Sequence, residues 1–192
     1  MKIAIYGDSF ASPQYDPQNL GWPILLKNNL IVHNYAMSGA SEYKILQTLK
    51  KSDLSQFDKI LIVHTSPNRI YVPHNPLHQN TKYHKQCDII FSDIEHKRDE
   101  FSVACQQYFK YIFDIEYASD LHNLICKNID EITNQFDTSH ITFFDYTGLY
   151  QFNNKLRSFY ETWLINKGSI NHLSSHGNSL IYLAVLEILG IA

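Results

Sequence analysis

Lys2-Ile3-Ala4-Ile5-Tyr6 runs straight into Gly7-Asp8-Ser9-Phe10. The apolar run reads as a buried first strand. Ser9 then falls at the strand's carboxyl end, where open α/β sheets place their ligands. A rigid strand fixes such a hydroxyl while the turn exposes it, which suits a nucleophile. The plainer alternative is a Gly-Asp-Ser turn without chemistry.

Further strand-like and helix-like stretches alternate along the chain. Trp22-Pro23 opens a short helix through Asn29, with proline tolerated in the first turn. Leu30 to Tyr35 reads as the second strand. Ser41 to Leu49 reads as a helix, with Ser41 as N-cap and Ile45 and Leu49 on one face. Lys59 to His64 is a nearly continuous apolar third strand, which suits a parallel strand covered on both faces. The segment from about 65 to 100 is irregular, and such a length suggests a lid or binding insert. The spacing Phe101, Cys105, Tyr108, Ile112, Ile115 and then Leu121 to Phe136 predicts one bent helix or two, with a break near Tyr117–Asp120. Phe101, Tyr108, Phe109, Tyr111 and Phe113 are expected to be core or helix-packing residues. His140 to Phe144 is the fourth strand, and a mixed segment leads to a final helix from Ser174 to Leu189. This alternation predicts a three-layer α/β/α sandwich with a central parallel sheet.

The 192 residues fit one domain spanning 1–192 with a substantial core. A 44% hydrophobic and 18% charged composition is that of a globular protein. The net charge of −3 and the absence of a basic cluster argue against a nucleic-acid partner. Cys87, Cys105 and Cys126 have no metal-type spacing, and three thiols cannot all pair within one chain. A reduced, cytoplasmic compartment is the simpler expectation. No stretch reads as a signal peptide or a membrane span. His74, His78, His84 and Cys87 invite zinc, but Pro76 interrupts the spacing, so solvated loop histidines and no metal are expected. Neither a phosphate-binding glycine loop nor a G-x-S-x-G elbow occurs.

In a parallel sheet the loops after each strand share one edge. Ser9 follows the first strand, Ser38-Gly39 the second, and Ser66-Pro67-Asn68 the third; His172 precedes the last helix. Together they form a parts list for acyl transfer. Ser9 is the candidate nucleophile and His172 the candidate base. The N–H groups of Ser9 and Gly39 and the amide of Asn68 are candidate oxyanion donors. Each alone has a plainer reading as a turn or capping residue. Asp8 is expected to bond neighbouring backbone N–H groups, not to transfer protons.

These residues carry a resemblance to the SGNH (GDSL-type) hydrolase superfamily. The matching blocks are Gly7-Asp8-Ser9-Phe10, Asn34-Tyr35-Ala36-Met37-Ser38-Gly39, Ser66-Pro67-Asn68-Arg69 and His172-Leu173-Ser174-Ser175-His176-Gly177-Asn178. Trp22-Pro23 resembles the start of the family's first helix. The resemblance implies a flavodoxin-like sandwich and ester hydrolysis without a cofactor. It also implies substrates such as acyl groups on lipids, thioesters or O-acetyl groups on sugars.

Two positions depart from the family pattern. Ser66 stands where the family has glycine. Ser169 stands where the family places the aspartate that orients the catalytic histidine. A carboxylate there normally fixes the imidazole tautomer and stabilises its charged form. Three arrangements remain: a dyad with His172 oriented by Ser169 or a backbone carbonyl; replacement by another acid such as Asp145; or a catalytically weak module that binds a glycan or protein. Tyr15, Trp22 and Tyr71 are candidate substrate-lining residues. Arg69 could meet an anionic group, although a salt bridge is the simpler expectation. A flavodoxin-like nucleotide or flavin protein is a third class, recognisable by a bound chromophore in the absorbance spectrum.

Overall fold

The computed structural model describes residues 1–12, 21–78, 87–153, 156–168 and 172–191. Five strands form a parallel sheet in the order β2-β1-β3-β4-β5. They are β1 (Lys2–Gly7), β2 (Ile31–Asn34), β3 (Lys59–His64), β4 (Thr138–Thr142) and β5 (Leu156–Ser158). This is the flavodoxin-like strand order. The helices are α1 (Trp22–Leu25), α2 (Glu42–Lys50), α3 (Glu100–Tyr111), α4 (Ile115–Thr133), α5 (Tyr160–Ile165) and α6 (Ser175–Leu189).

Strand alternation divides the core into two layers. Ile3, Ile5, Leu61, Val63 and Ile141 face one side, where they pack against Trp22 and Leu26 and against Ile181, Val185 and Leu189 of α6. Ala4, Tyr6, Ile60 and Ile62 face the other, against Ile45, Leu46 and Leu49 of α2 and Ile129 of α4. Successive residues of β1 and β3 therefore serve opposite helical layers, which is why their sequences are apolar throughout. The result is a three-layer α/β/α sandwich.

Local signals set most helix ends. The Ser41 side chain accepts from Lys44 N, and the Ser174 side chain accepts from Gly177 N. Both are N-cap bonds. The break in the long helical stretch falls earlier than its periodicity suggests. Asp114 caps α4 by accepting from Tyr117 N, so the turn lies at 112–114. α3 contributes little to the core: of its residues only Ser102 is buried, and Tyr111 is 68% exposed. Of the aromatics expected to be core or helix-packing, Tyr108 and Tyr111 are exposed, whereas Phe109 packs against Phe91 and Phe113. β4 begins two residues before the expected start. The mixed segment after it contains β5 and α5, which the sequence pattern did not separate. No helix among the described residues is long and apolar enough to cross a membrane.

Candidate active site

Because all strands run parallel, their carboxyl ends lie on one edge, and the candidate loops leave from it. β1 and β3 approach so closely at Gly7 that a Cβ there would sit 2.7 Å from the Val63 Cβ. Only glycine fits this approach. The next turn is fastened from several sides. Asp8 Oδ1 accepts from Phe10 N at 2.9 Å, the backbone bond expected of it. Trp22 Nε1 donates to Phe10 O at 2.8 Å, and Asn34 Nδ2 donates to Ala11 O at 2.8 Å. Met37 N donates to Gly7 O at 2.9 Å, tying the second loop to the first. Ser9 is half-buried in this fixed turn.

His172 arrives from the far end of the chain. Its ring lies 5.1 Å, centroid to centroid, from Phe10, the residue after Ser9. Phe10 also stacks on Phe143 at 4.7 Å and meets Trp163 edge-on at 6.0 Å. An aromatic cluster thus holds the Ser9 turn and the imidazole at one place. His172 O accepts from Gly168 N, anchoring the backbone that presents the ring.

Gly39 has φ +68°, in the left-handed region, and a Cβ there would meet the Cys87 Cβ at 2.7 Å. Its carbonyl accepts from Asp88 N at 2.9 Å and from Arg69 Nη1 at 3.5 Å. Asn68 is exposed, in a turn where its N donates to Ser66 Oγ at 3.2 Å.

Two of the sequence assignments change. Trp22 is fully buried and acts as a core residue that holds the Phe10 carbonyl, so it does not line a substrate cleft. Asp145 is exposed, and its Oδ1 accepts from Thr147 N and Oγ1 at 3.0 and 2.6 Å. Its carboxylate is committed to its own turn and not to His172. Arg69 turns inward, with Nη1 also donating to Asp88 O at 3.3 Å and standing 3.9 Å from Asp93 Oδ2. Tyr71 packs edge-on against Tyr43 at 4.9 Å. Tyr15 and Ser169 lie outside the described residues.

Electrostatics single out Asp8. Burial pushes its carboxyl up to about 6, while the Phe10 N–H and the Arg69 charge pull it part of the way back. Its Oδ2 is buried without a hydrogen-bond partner among the described residues.

Beside the third loop lies a buried polar network that the sequence did not reveal. Glu42 Oε1 accepts from His64 Nδ1 at 2.7 Å, and Glu42 Oε2 accepts from Thr65 N at 3.0 Å. His122 Nε2 lies 3.0 Å from Thr65 O, which can only accept, so that nitrogen carries the proton. Glu42 and His122 thereby hold both backbone polar groups of the residue that leads into Ser66-Pro67-Asn68. Burial alone would raise Glu42, but His64 and His122 outweigh it and hold the carboxylate below its usual range. His64 Nε2 lies 2.9 Å from His140 Nδ1, and His140 Nε2 lies 4.0 Å from Asp130 Oδ1. Burial and the neighbouring His64 push His140 down to about 2. Glu42 and the imidazoles on strands β3 and β4 are too far apart in sequence to be linked by spacing. The only local hint was polar residues interrupting apolar strands.

Glu42, His122 and Cys126 bring ligand-type atoms within 4.8 Å of one another. Hydrogen bonding accounts for the grouping. Burial pushes the Cys126 thiol far up, so it stays protonated. Its sulfur lies 3.5 Å from His122 Nδ1 and 3.0 Å from the Tyr146 hydroxyl. The thiol is thus within hydrogen-bond reach of both the imidazole and the phenol.

No protein-family model matches the chain. No curated protein matches its sequence. The fold matches a crystal structure of the psychrotrophic esterase EstA from Pseudoalteromonas sp., inhibited by monoethylphosphonate. That match has a TM-score of 0.57 at 11% identity and covers 98% of this chain and 96% of the other. An acetyl xylan esterase, AlAXEase, aligns with a TM-score of 0.45 at 13% identity over 97% of this chain and 98% of the other. The match to EstA bears out the α/β fold expected from the sequence.

Proposed function

We propose that the chain is a serine ester hydrolase of the SGNH (GDSL-type) kind, acting without a cofactor on an acyl or acetyl ester of a small molecule or carbohydrate. The observation that carries this reading is the packing of His172 on Phe10, across 162 positions of chain, beside a turn that fixes Ser9. In the proposed reaction Ser9 Oγ attacks the ester carbonyl and passes its proton to His172. His172 returns that proton to the departing alcohol, leaving an acyl-serine. Water, deprotonated by His172, then releases the acid and restores the serine. The N–H groups of Ser9 and Gly39 and the Asn68 amide are the proposed donors to the oxyanion. Each such donor is typically worth about 3 kcal/mol in the transition state.

A second reading has its own support. Ser169 occupies the family's acid position, and Asp145 is engaged by Thr147. With serine at that position, a binding module for a glycan or protein on the same scaffold is the alternative. Turnover of p-nitrophenyl acetate separates the two. The hydrolase reading predicts activity that Ser9→Ala abolishes while the circular dichroism spectrum is retained. Equal activity in that variant would overturn it.

A further inference from the structure

A pocket of about 250 Å³ opens beside the third loop, between the start of α2, the 66–71 turn and the first half of α4. Arg69 lines it and also contacts the Gly39 carbonyl, so the pocket adjoins the proposed oxyanion loops. The volume lies just below the usual ~300–1,000 Å³ of small-molecule sites, enough for one ring and a few atoms.

Its lining decides what kind of group fits. Tyr43, Tyr71, Tyr108, Phe113 and Tyr117 supply aromatic surface, with Leu121 and Ile125 between them. Several polar members already spend atoms on the protein's own structure. Ser41 Oγ, Ser66 Oγ and Asp114 Oδ1 each accept from a backbone N–H. Glu42 is taken by His64 and Thr65, and His122 by Thr65 and Cys126. Arg69 Nε, buried without a partner among the described residues, and the tyrosine hydroxyls leave polar contacts at the edges, but the aromatic surface dominates the lining. A planar apolar ring would meet aromatic faces and edges, an arrangement worth roughly 0.5–1.5 kcal/mol per pair beyond area burial. The apolar surface also continues outward, since Tyr117 is 68% and Leu121 45% exposed.

We infer that this pocket is a subsite for an aromatic ring carried by the ester. The inference rests on the hydrolase reading for the word ester, but the pocket can be tested without turnover. Ser9→Ala protein is titrated with 2-phenylethyl acetate, hexyl acetate and methyl acetate, observing the methyl NMR signals of Leu121, Ile125 and Ala118. The expected result is saturation by the phenylethyl ester at a concentration at least tenfold below the other two, with those three residues shifting. Leu121→Trp, which fills the pocket from an exposed position, should remove that preference. Equal saturation by all three esters, tighter hexyl binding, or shifts elsewhere would overturn the inference. If the ring binds as expected and Ser9 proves dispensable for turnover, the subsite stands and the hydrolase reading falls. If Ser9 turns over acetyl esters but the ring does not bind, only the subsite falls.

Discussion

Asp8→Asn should remove a specific pH dependence of stability. Asp8 is buried beside Ser9, with one oxygen bonded to Phe10 N and the other unpartnered among the described residues. Its carboxyl rises from 3.8 to about 6 on folding. Between those values the folded chain holds a proton that the unfolded chain has released, so stability falls as pH rises through this window. Each pH unit of the interval is worth about 1.4 kcal/mol, giving a loss of about 3 kcal/mol by pH 7. Asparagine keeps an oxygen for Phe10 N and carries no charge. Its own burial cost does not vary with pH, so the difference between the two proteins isolates the carboxylate. Urea denaturation of both proteins at intervals from pH 4 to 8, extrapolated linearly, measures that difference. The wild type should lose about 3 kcal/mol relative to Asp8→Asn over the window and then level off. A flat difference, or one of the opposite sign, would refute the placement of a desolvated carboxylate next to the proposed nucleophile.

Gly39→Ala should destabilise the fold by about 1–3 kcal/mol, because it forces a side chain into left-handed backbone and against Cys87; thermal or urea unfolding reads this directly. Asp130→Ala should cost about 1.5–3 kcal/mol, because its carboxylate accepts from Tyr150 Oη and Asn153 N. Asp130→Asn should stay within about 1 kcal/mol of wild type, since its oxygen keeps those donors and its amide can face His140 Nε2. Equal losses in the two Asp130 variants would contradict the hydrogen-bond account of the buried network.

Much of the sheet was legible because β1 and β3 are apolar on both faces and therefore form continuous runs. α2 and α6 were legible through their serine caps. The boundary between α3 and α4 was misplaced because aromatic spacing continues through the turn and outweighed the capping signal at Asp114. β5 is three residues long, with one neighbour and an exposed Arg157, so no alternation marks it. Trp22 illustrates a different limit. Its position beside a loop points to a cleft, yet its indole turns inward to the Phe10 carbonyl, which sequence spacing does not encode. Ser9, Gly39, Asn68 and His172 could be proposed from motif order alone. The network of Glu42, His64, His122, His140 and Asp130 could not, because its members meet only through tertiary packing.

On the proposed reading Ser9 is an activated nucleophile. Incubating the folded protein with a fluorophosphonate, followed by peptide mass mapping, tests it at the atom concerned. One covalent phosphonyl adduct is expected on the peptide carrying Ser9, absent in Ser9→Ala and strongly slowed in His172→Ala. An unmodified Ser9 after prolonged exposure, or a rate indifferent to His172, would contradict it.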